Sequence, residues 1–390
     1  MTDSRSALQW PALTMSVVTT VASVLPAFLT GALGVQLRDA LGFDATGLGF
    51  AVASFFVVGV VGSAALGRLG ERLGARHAMT IGLCTTILAN LVIATWADRW
   101  LTLAIPLMAA GAANALNQTA ANSLLGRTSA DDRLIFSVSV KQAGMPAATL
   151  LGGLAVPGIA QTAGWRWAYV AAAAVALGAL AIVRRADPTG RAGPAGPASR
   201  PDLDPITFLV LATAVAFGAY MAGALASWTV SSAEAAGLSA GAAGLLLAGG
   251  SALGITSRLL MGDRADRRSG PTLPVVARMM LFGAAGLVVL AAGTPASAML
   301  GTAVGFGAGW AWPGLFNGTI VALNPSAPGA ATGITQTGTY LGVVVGPVVT
   351  GVLVDGPGYA SAWLVAALSG VIAAGLMLVG QQRLRHQNGP

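Results

Sequence analysis

The chain has 390 residues, of which 55% are hydrophobic and only 9% are charged, whereas soluble domains usually carry about 25% charged residues. This composition excludes an ordinary water-soluble domain, because too little polar surface is available to face water, and it favours a chain that folds in lipid. The net charge of +7 comes from arginines in short segments between apolar runs, a distribution typical of membrane topology signals and not of nucleic-acid binding.

Apolar runs of about 20 residues, enough to span the hydrocarbon core, recur along the whole chain. The first six are predicted at 12–36, 47–68, 78–96, 101–125, 135–158 and 164–183. Six more are predicted at 205–230, 240–261, 273–293, 296–322, 328–354 and 359–380. The sequence therefore predicts an all-α membrane protein with twelve transmembrane helices, numbered 1 to 12 in chain order.

The longest polar stretch, 184–204, separates the two sets of helices. It is rich in proline, glycine and arginine and predicts a linker between two six-helix bundles, 1–183 and 205–390. With the N-terminus inside, fifteen arginines fall in inner loops and tails and three in outer loops. This bias predicts a multi-pass protein of a cell inner membrane or plasma membrane, with both termini and the linker in the cytoplasm.

The two halves of the chain repeat each other. A shift of 194 residues pairs three positions of helix 5 with three of helix 11, namely Gln142, Gly144 and Gly152 with Gln336, Gly338 and Gly346. A shift of 195 residues pairs the loops after helices 2 and 8, where Glu71-Arg72 corresponds to Asp266-Arg267. Two such halves, related by an axis along the membrane normal, suit alternating access around a central site.

The segment after helix 2 reads GRLGERLGARH, and the segment after helix 8 reads GDRADRRSG. The first resembles the loop motif of the major facilitator superfamily, G-x-L-a-D-R-x-G-R-R, with glutamate in place of aspartate. The matching positions are Gly67, Leu69, Glu71, Arg72, Gly74 and Arg76, with a second copy at Gly262, Ala265, Asp266 and Arg267. Through the twelve-helix plan the resemblance covers nearly the whole chain. It implies a two-bundle transporter with helices 1, 4, 7 and 10 central and helices 5 and 8 facing each other.

The paired motifs predict a gate on the inner side. Glycines permit tight turns and close helix approach, and an acid can bond to arginines or to the free N–H groups at a helix start. The predicted gating residues are Gly67, Glu71, Arg72, Arg76, Asp266 and Arg267. The alternative is that these loops only set the topology.

Two basic residues fall inside predicted spans. Lys141, the only lysine, lies about two turns into helix 5 from its inner end, and Arg258 lies about one turn inside helix 8. A charge at the bilayer centre costs about 2.5–3.5 kcal/mol on insertion scales, so both are candidate solute ligands. A desolvated lysine can also release its proton, which makes H⁺ a candidate coupling ion. The alternative for both is snorkelling to the inner headgroups.

Polar and aromatic side chains on the predicted central helices add to the candidate site. Helix 4 carries four amides, of which 114, 118 and 122 share one helical face. The complete set of candidates besides the two cations is Asn114, Asn117, Gln118, Asn122, Gln142, Trp310, Trp312, Asn317, Gln336 and Tyr340. The alternative is that these amides and rings only hold helices together.

Three other tryptophans, Trp165, Trp167 and Trp363, lie near the outer ends of helices 6 and 12. Indole rings concentrate at the membrane–water interface because they combine an apolar body with a polar N–H group. We therefore predict that all three belong to an interfacial aromatic belt.

No aspartate or glutamate falls in the predicted membrane interior, whereas proton-driven exporters of cations need a buried carboxylate. The sequence therefore predicts a secondary transporter of a small organic solute, anionic or zwitterionic in preference to neutral, working by rocker-switch alternating access. The alternative is a proton-coupled multidrug or metabolite exporter, because Gly342-x-x-x-Gly346-Pro347 resembles the family's antiporter pattern, although it lies in helix 11 and not helix 5.

Other function classes lack their signatures. One cysteine, Cys84, excludes an internal disulfide and a multi-cysteine metal site, and no phosphate-binding loop indicates direct use of ATP. A membrane enzyme would need a catalytic cluster, and a receptor would bring a soluble sensor domain. We expect no cofactor, no metal and no nucleic acid, with membrane lipid and a small-molecule solute as partners of a monomer.

Overall fold

The computed structural model describes residues 10–128, 134–186, 202–267 and 270–387. Within these ranges the chain is almost entirely helical and contains no β-strand, which confirms the predicted all-α class. Eleven of the described helices are long and apolar enough to cross a membrane. The protein is therefore a multi-pass helical membrane protein, while the twelfth span stays a prediction.

The first half of the chain contains predicted helices 1 to 6. Its elements are α1 Trp10–Ala32, α2 Gly34–Leu41, α3 Ala45–Leu73, α4 Ala75–Trp96, α5 Trp100–Thr128, α6 Leu134–Gln142, α7 Gly144–Ala155, α8 Gln161–Ala163 and α9 Trp165–Arg185. A π-helical turn, Val156–Ala160, joins α7 to α8. Predicted helix 5, 135–158, is thus divided among α6, α7 and the π-helical turn, and α8 lies beyond its predicted end.

The second half contains predicted helices 7 to 12. Its elements are α10 Pro205–Ala235, α11 Ala240–Arg267, α12 Leu273–Leu290, α13 Pro295–Val304, α14 Trp312–Ala322, α15 Pro328–Asp355 and α16 Tyr359–Gln387. A second π-helical turn, Gly305–Gly309, follows α13. Predicted helix 10 is thus divided between α13 and α14, and it is not among the eleven candidate spans.

Two prolines explain the breaks in predicted helices 5 and 10. Proline has no amide hydrogen, so it leaves the carbonyl four residues earlier without its helical partner. Pro146 acts in this way on Gln142, next to the turn at Ala143, and Pro313 acts on Gly309 at the end of the second π-helical turn. Both breaks lie at positions where helices of the two halves meet.

Aspartates cap the starts of α3 and α10. The Asp44 carboxylate accepts a hydrogen bond from the Gly47 amide at 2.7 Å and caps α3. Asp204 accepts from the Ile206 and Thr207 amides at 2.9 and 3.0 Å and caps α10, with Pro205 in the first helical position.

Turns with positive φ support the internal repeat. Gly42 and Gly237, which are 195 residues apart, have φ of 68° and 96°. Gly164 and Gly358, which are 194 residues apart, have φ of 95° and 96° and precede α9 and α16. These angles are accessible to glycine at little cost and strained for other residues, so both halves require glycine at matching turns.

Helices of the two halves meet along several seams. α3 packs against α15, α7 against α11, and α1 against α10, while α6 lies against both α11 and α14. Large apolar side chains on other faces remain exposed, among them Leu88, Ile105, Phe282 and Leu368. Exposed apolar faces around a packed interior are what a lipid-embedded protein requires.

One tryptophan predicted for the interfacial belt lies elsewhere. Trp363 is fully buried, and its indole N–H donates to the Ser232 hydroxyl at 2.8 Å. The Trp363 ring therefore packs between α16 and α10. The Ser232 hydroxyl of α10 gives the indole N–H the polar partner that it would otherwise find at the membrane–water interface. Trp167 is exposed, as a belt residue would be.

The topology can be tested by cysteine labelling in a Cys84→Ser background, because Cys84 is exposed. Ser239, between α10 and α11, is exposed and lies on the predicted outer face. We expect a membrane-impermeant maleimide added outside intact cells to label Ser239→Cys and to leave Ser199→Cys, in the linker, unlabelled. Labelling of Ser199→Cys alone would invert the proposed orientation.

Candidate functional site

Lys141 lies in the last turn of α6, immediately before the break caused by Pro146. Its side chain is only 2% exposed. The ammonium donates hydrogen bonds to the amide oxygens of Gln118 and Asn122 on α5, the second at 3.0 Å. Lys141 is therefore held inside the protein and does not snorkel toward the headgroups in this structure.

The hydrogen bonds of Lys141 continue across α5 to α1. The Gln118 amide group donates to the Asn114 side-chain oxygen at 3.5 Å, and the Ser23 hydroxyl donates to the same oxygen at 3.0 Å. We call these five residues, Ser23, Asn114, Gln118, Asn122 and Lys141, the Lys141 network. It joins α1, α5 and α6, which correspond to predicted helices 1, 4 and 5.

Asn117 lies outside the Lys141 network. Its side chain is buried against Gly82 of α4, where any larger residue would collide with the amide, and neither polar atom has a hydrogen-bond partner. Asn117 and Gln118 are consecutive residues of α5. The rotation of about 100° per residue turns their side chains toward different neighbours. The structure places this candidate between two helices of the first half.

Arg258, on α11, is 1% exposed and bonds to backbone carbonyls. Its Nε and Nη2 atoms donate to the Trp310 carbonyl at 3.1 and 2.5 Å, and Nη1 donates to the Gln142 carbonyl. The Gln142 carbonyl is the one that Pro146 deprives of its helical partner. Arg258 therefore bridges the second half to the first through an acceptor created by the helix break.

An aromatic group surrounds this arginine. The Arg258 guanidinium lies 5.3 Å from the centre of the Trp310 ring, within the range of a cation–π interaction. The Trp310 ring contacts Phe306 edge-on at 5.2 Å and Phe28 of α1 edge-on at 5.6 Å. Trp310 therefore connects the two halves as well as covering the buried cation.

The Arg258 side chain reaches α6 at the level of Lys141. The α6 carbonyl that it bonds belongs to Gln142, the residue after Lys141. The hydrogen-bond partners of both cations are neutral amide and carbonyl oxygens. Every described aspartate or glutamate lies between helices or near a helix end. Two positive charges are thus buried next to the seam between the halves.

The remaining predicted ligands are less closely connected. The Gln142 side chain is buried, and its oxygen has no hydrogen-bond partner. Tyr340 packs its ring against Gly59 of α3, with ring carbons 2.8 Å from where a Cβ would lie. Gln336 and Asn317 are half-buried, and among the described residues neither forms a hydrogen bond with the Lys141 network.

On the face predicted to be the inner one, α6 fits between α11 and α14. A methyl group at Gly262 would lie 2.6 Å from the Ser139 hydroxyl, and one at Gly314 would lie 2.9 Å from the Ser139 Cα atom. The Asp266 carboxylate accepts a hydrogen bond from the Phe136 amide at 2.9 Å, in the first turn of α6. We call this last contact the inner latch.

The other predicted gating residues have different positions. Gly67 and Arg72 lie within α3, which continues helically to Leu73, so only Gly74 forms the tight turn, with φ of 75°. Among the described contacts, Arg76 donates to the Arg184 carbonyl in its own half, and Arg267 bonds to Asp263 on its own helix at 2.8 Å. The side chain of Glu71 lies outside the described residues. The motif was expected to be a loop, but apolar neighbours extend the helix through it.

Ser23 and Ser139 are not among the residues predicted from the sequence. Ser23 belongs to a run of hydroxyl residues on α1 with Thr19 and Thr20, whose hydroxyls are buried without partners. Small polar residues in a membrane helix are a signal of close helix contact. Ser139 carried no such signal, because its role depends on glycines more than 120 residues away.

These features define a polytopic membrane protein in which two buried basic side chains lie where helices of the first and second halves of the chain meet. A sequence model of the Major Facilitator Superfamily matches residues 12–300 and, in an overlapping second match, residues 208–389. The chain therefore belongs to this superfamily and is a membrane transporter, since its members are generally transporters and not enzymes. A comparison with curated proteins gave no match.

We predict that Asp266→Ala opens the inner face. The substitution removes the acceptor for the Phe136 amide, and capping bonds of this kind contribute about 0.5–2 kcal/mol. In a Cys84→Ser, Ser139→Cys background, maleimide labelling from the inner side should become on the order of fivefold faster. An unchanged labelling rate would show that the inner latch does not hold the gate.

Proposed function

We propose that this transporter carries a small organic anion or zwitterion by secondary active transport. The observation that carries the proposal is the pair of buried cations, Lys141 and Arg258, whose described partners are all neutral oxygens. A solute with a carboxylate or phosphate group would supply the negative charge that the protein interior lacks.

The energetics favour such a counter-charge. A charge at mid-bilayer costs about 2.5–3.5 kcal/mol, and one hydrogen bond to a charged group returns about 1.5–3 kcal/mol. The two bonds of Lys141 and the three bonds of Arg258 can therefore offset the cost of burial, but they leave both positive charges without a counter-charge. An anion adds a Coulomb attraction to the cations that neutral oxygens lack, so an anionic solute can compete with the resident oxygens.

Alternating access between two six-helix bundles is the mechanism we propose. Both cations lie beside the seam where α6 meets α11, so a solute bound to them would contact both halves. The seams contain glycines in close contact, as at Gly153 and Gly244, where a methyl group on either would lie 2.6 Å from the carbonyl oxygen of the other. Surfaces built from small residues can separate and rejoin as rigid bodies, which rocking requires.

The alternative proposal, a proton-coupled exporter, rests on the glycine pattern of helix 11. In the structure Gly342 and Gly346 of α15 pack against α10, with Gly346 facing Tyr220 of the same half. Close packing within one half is thus sufficient to explain this pattern. We therefore favour the anion transporter.

We further propose that the protein works as a monomer in a cell inner or plasma membrane, with both termini in the cytoplasm. The arginine distribution supports this orientation, since fifteen arginines lie in predicted inner segments and three in outer ones.

A thermal-shift screen tests the substrate class. Purified protein would be heated with organic acids, amino acids, neutral sugars and lipophilic cations, each at the same ionic strength. We expect stabilisation by one group of acids or zwitterions, because a ligand at 100 times its Kd adds about 2.7 kcal/mol to folding stability. Stabilisation by lipophilic cations alone would favour the exporter.

A further inference from the structure

The outer end of the α3–α15 seam carries a contact that the family motif does not include. Asp355, the last residue of α15, accepts hydrogen bonds from the Ala45 amide at 3.1 Å and from the Thr46 amide at 2.6 Å. It also accepts from the Thr46 hydroxyl at 2.6 Å. Because α3 begins at Ala45, a carboxylate of the second half caps a helix of the first half.

Electrostatics explain why this carboxylate needs its partner. An acid at the C-terminal end of a helix faces the negative end of the helix dipole and is unfavourable there, whereas an acid at an N-terminus is stabilised. Asp355 occupies the unfavourable position on α15 and the favourable one on α3. The favourable interaction of Asp355 with the start of α3 therefore depends on the outer ends of α3 and α15 staying together.

A second carboxylate at the same helix start does not depend on the seam. Asp44 precedes α3 directly and accepts from the Gly47 amide at 2.7 Å. It belongs to the first half and moves with α3 whatever the second half does. The two acids thus share one helix turn, but only the bonds of Asp355 break when the halves separate.

The backbones beneath Asp355 are already in close contact. A methyl group at Gly351 would lie 2.6 Å from the Ala45 carbonyl oxygen. On α1 and α10, a methyl group at Gly31 would lie 2.8 Å from the Ser227 Cα atom. The outer seam is therefore closed in this structure at the level where Asp355 caps α3.

We propose that Asp355 is the gating residue of the outer face, where it stabilises the outward-closed state as the inner latch stabilises the inward-closed state. Both contacts follow one design, in which an acid in the last turn of a helix caps the first turn of a helix in the other half. The proposal rests on alternating access and deepens it, since opening to either side then breaks one carboxylate cap and keeps the other.

The test compares Asp355→Ala with Asp44→Ala as a matched control. Both remove an exposed carboxylate from the start of α3, so both reduce capping, but only Asp355→Ala removes a contact between halves. The reporters are Ser227→Cys for the outer seam and Ser139→Cys for the inner gate, each in a Cys84→Ser background. Both serines are buried in this structure. Labelling rates with an impermeant maleimide are measured on protein reconstituted in lipid vesicles.

We expect Asp355→Ala to speed labelling at Ser227→Cys on the order of fivefold and to slow labelling at Ser139→Cys. Asp44→Ala should leave both rates unchanged, although it lowers thermal stability. Equal effects of the two variants, or no effect of Asp355→Ala, would overturn the proposal. Because the assay contains no solute, its result is independent of whether the transported compound is an anion.

Discussion

Replacing Lys141 by alanine is expected to abolish transport while the protein stays folded and inserted. Lys141 is the only lysine, it is buried, and its ammonium bonds to Gln118 and Asn122. Removing one partner of a buried charge pair costs about 3–5 kcal/mol, which corresponds to a loss of at least 100-fold in affinity for an anionic solute. Counterflow of the stabilising compound into proteoliposomes measures this loss.

Three companion variants separate charge from packing. Lys141→Met keeps most of the side-chain volume without the charge and should be as inactive as Lys141→Ala. Lys141→Arg keeps a fixed charge and should retain part of the binding while losing any dependence on a proton gradient. Asn122→Ala removes one neutral partner and should have a smaller effect. Normal counterflow by Lys141→Ala would show that the lysine only contributes to packing, and would favour a neutral solute.

Replacing Arg258 by alanine is expected to weaken solute binding by about 10- to 100-fold and to lower thermal stability. The guanidinium bonds to the carbonyls of Trp310 and Gln142 and lies over the Trp310 ring. Leaving buried acceptors unpaired costs about 1–3 kcal/mol, and the positive charge available to an anion is lost as well. Arg258→Lys should recover little, because an ammonium lacks the planar fork that reaches two carbonyls.

Arg278 provides the matched control. It also lies within a membrane-spanning helix, but it is exposed and its Nε donates to the Pro274 carbonyl of its own helix at 3.3 Å. Arg278→Ala should leave the Kd and the melting temperature unchanged. If Arg258→Ala lowers the melting temperature while the Kd stays constant, Arg258 is a tether between the halves and not a solute ligand.

Much of the fold was predictable because the bilayer imposes a length on each apolar run. Helix α10, Pro205–Ala235, can be located from hydropathy alone, and the cap at Asp204 marks its start. The division of predicted helix 10 into α13 and α14 was harder to predict. Pro313 marks a weak point in the sequence, but local bonding decides whether the helix kinks or breaks there.

Candidate residues for the site could be named from the sequence, but their contacts could not. The apolar residues around Lys141 place it within a span but left its burial or snorkelling open, whereas helical periodicity places three amides of α5 on one face. The pairing of Arg258 with the Gln142 carbonyl joins positions 116 residues apart, and the cap formed by Asp355 joins positions 310 and 309 residues apart. A single sequence contains no local signal for such distances, whereas an acid at a helix C-terminus does indicate that some outside partner exists.

Counterflow of organic acids and their neutral carboxamides into proteoliposomes is the most direct test of whether the protein transports an anion. Vesicles containing the purified protein are loaded with an unlabelled acid and diluted into the same labelled acid, with empty vesicles as the control. Anion transport predicts that labelled acid accumulates, that excess unlabelled acid competes, and that the matching carboxamide neither accumulates nor competes. Accumulation of carboxamides or lipophilic cations, with none of any acid, would contradict it.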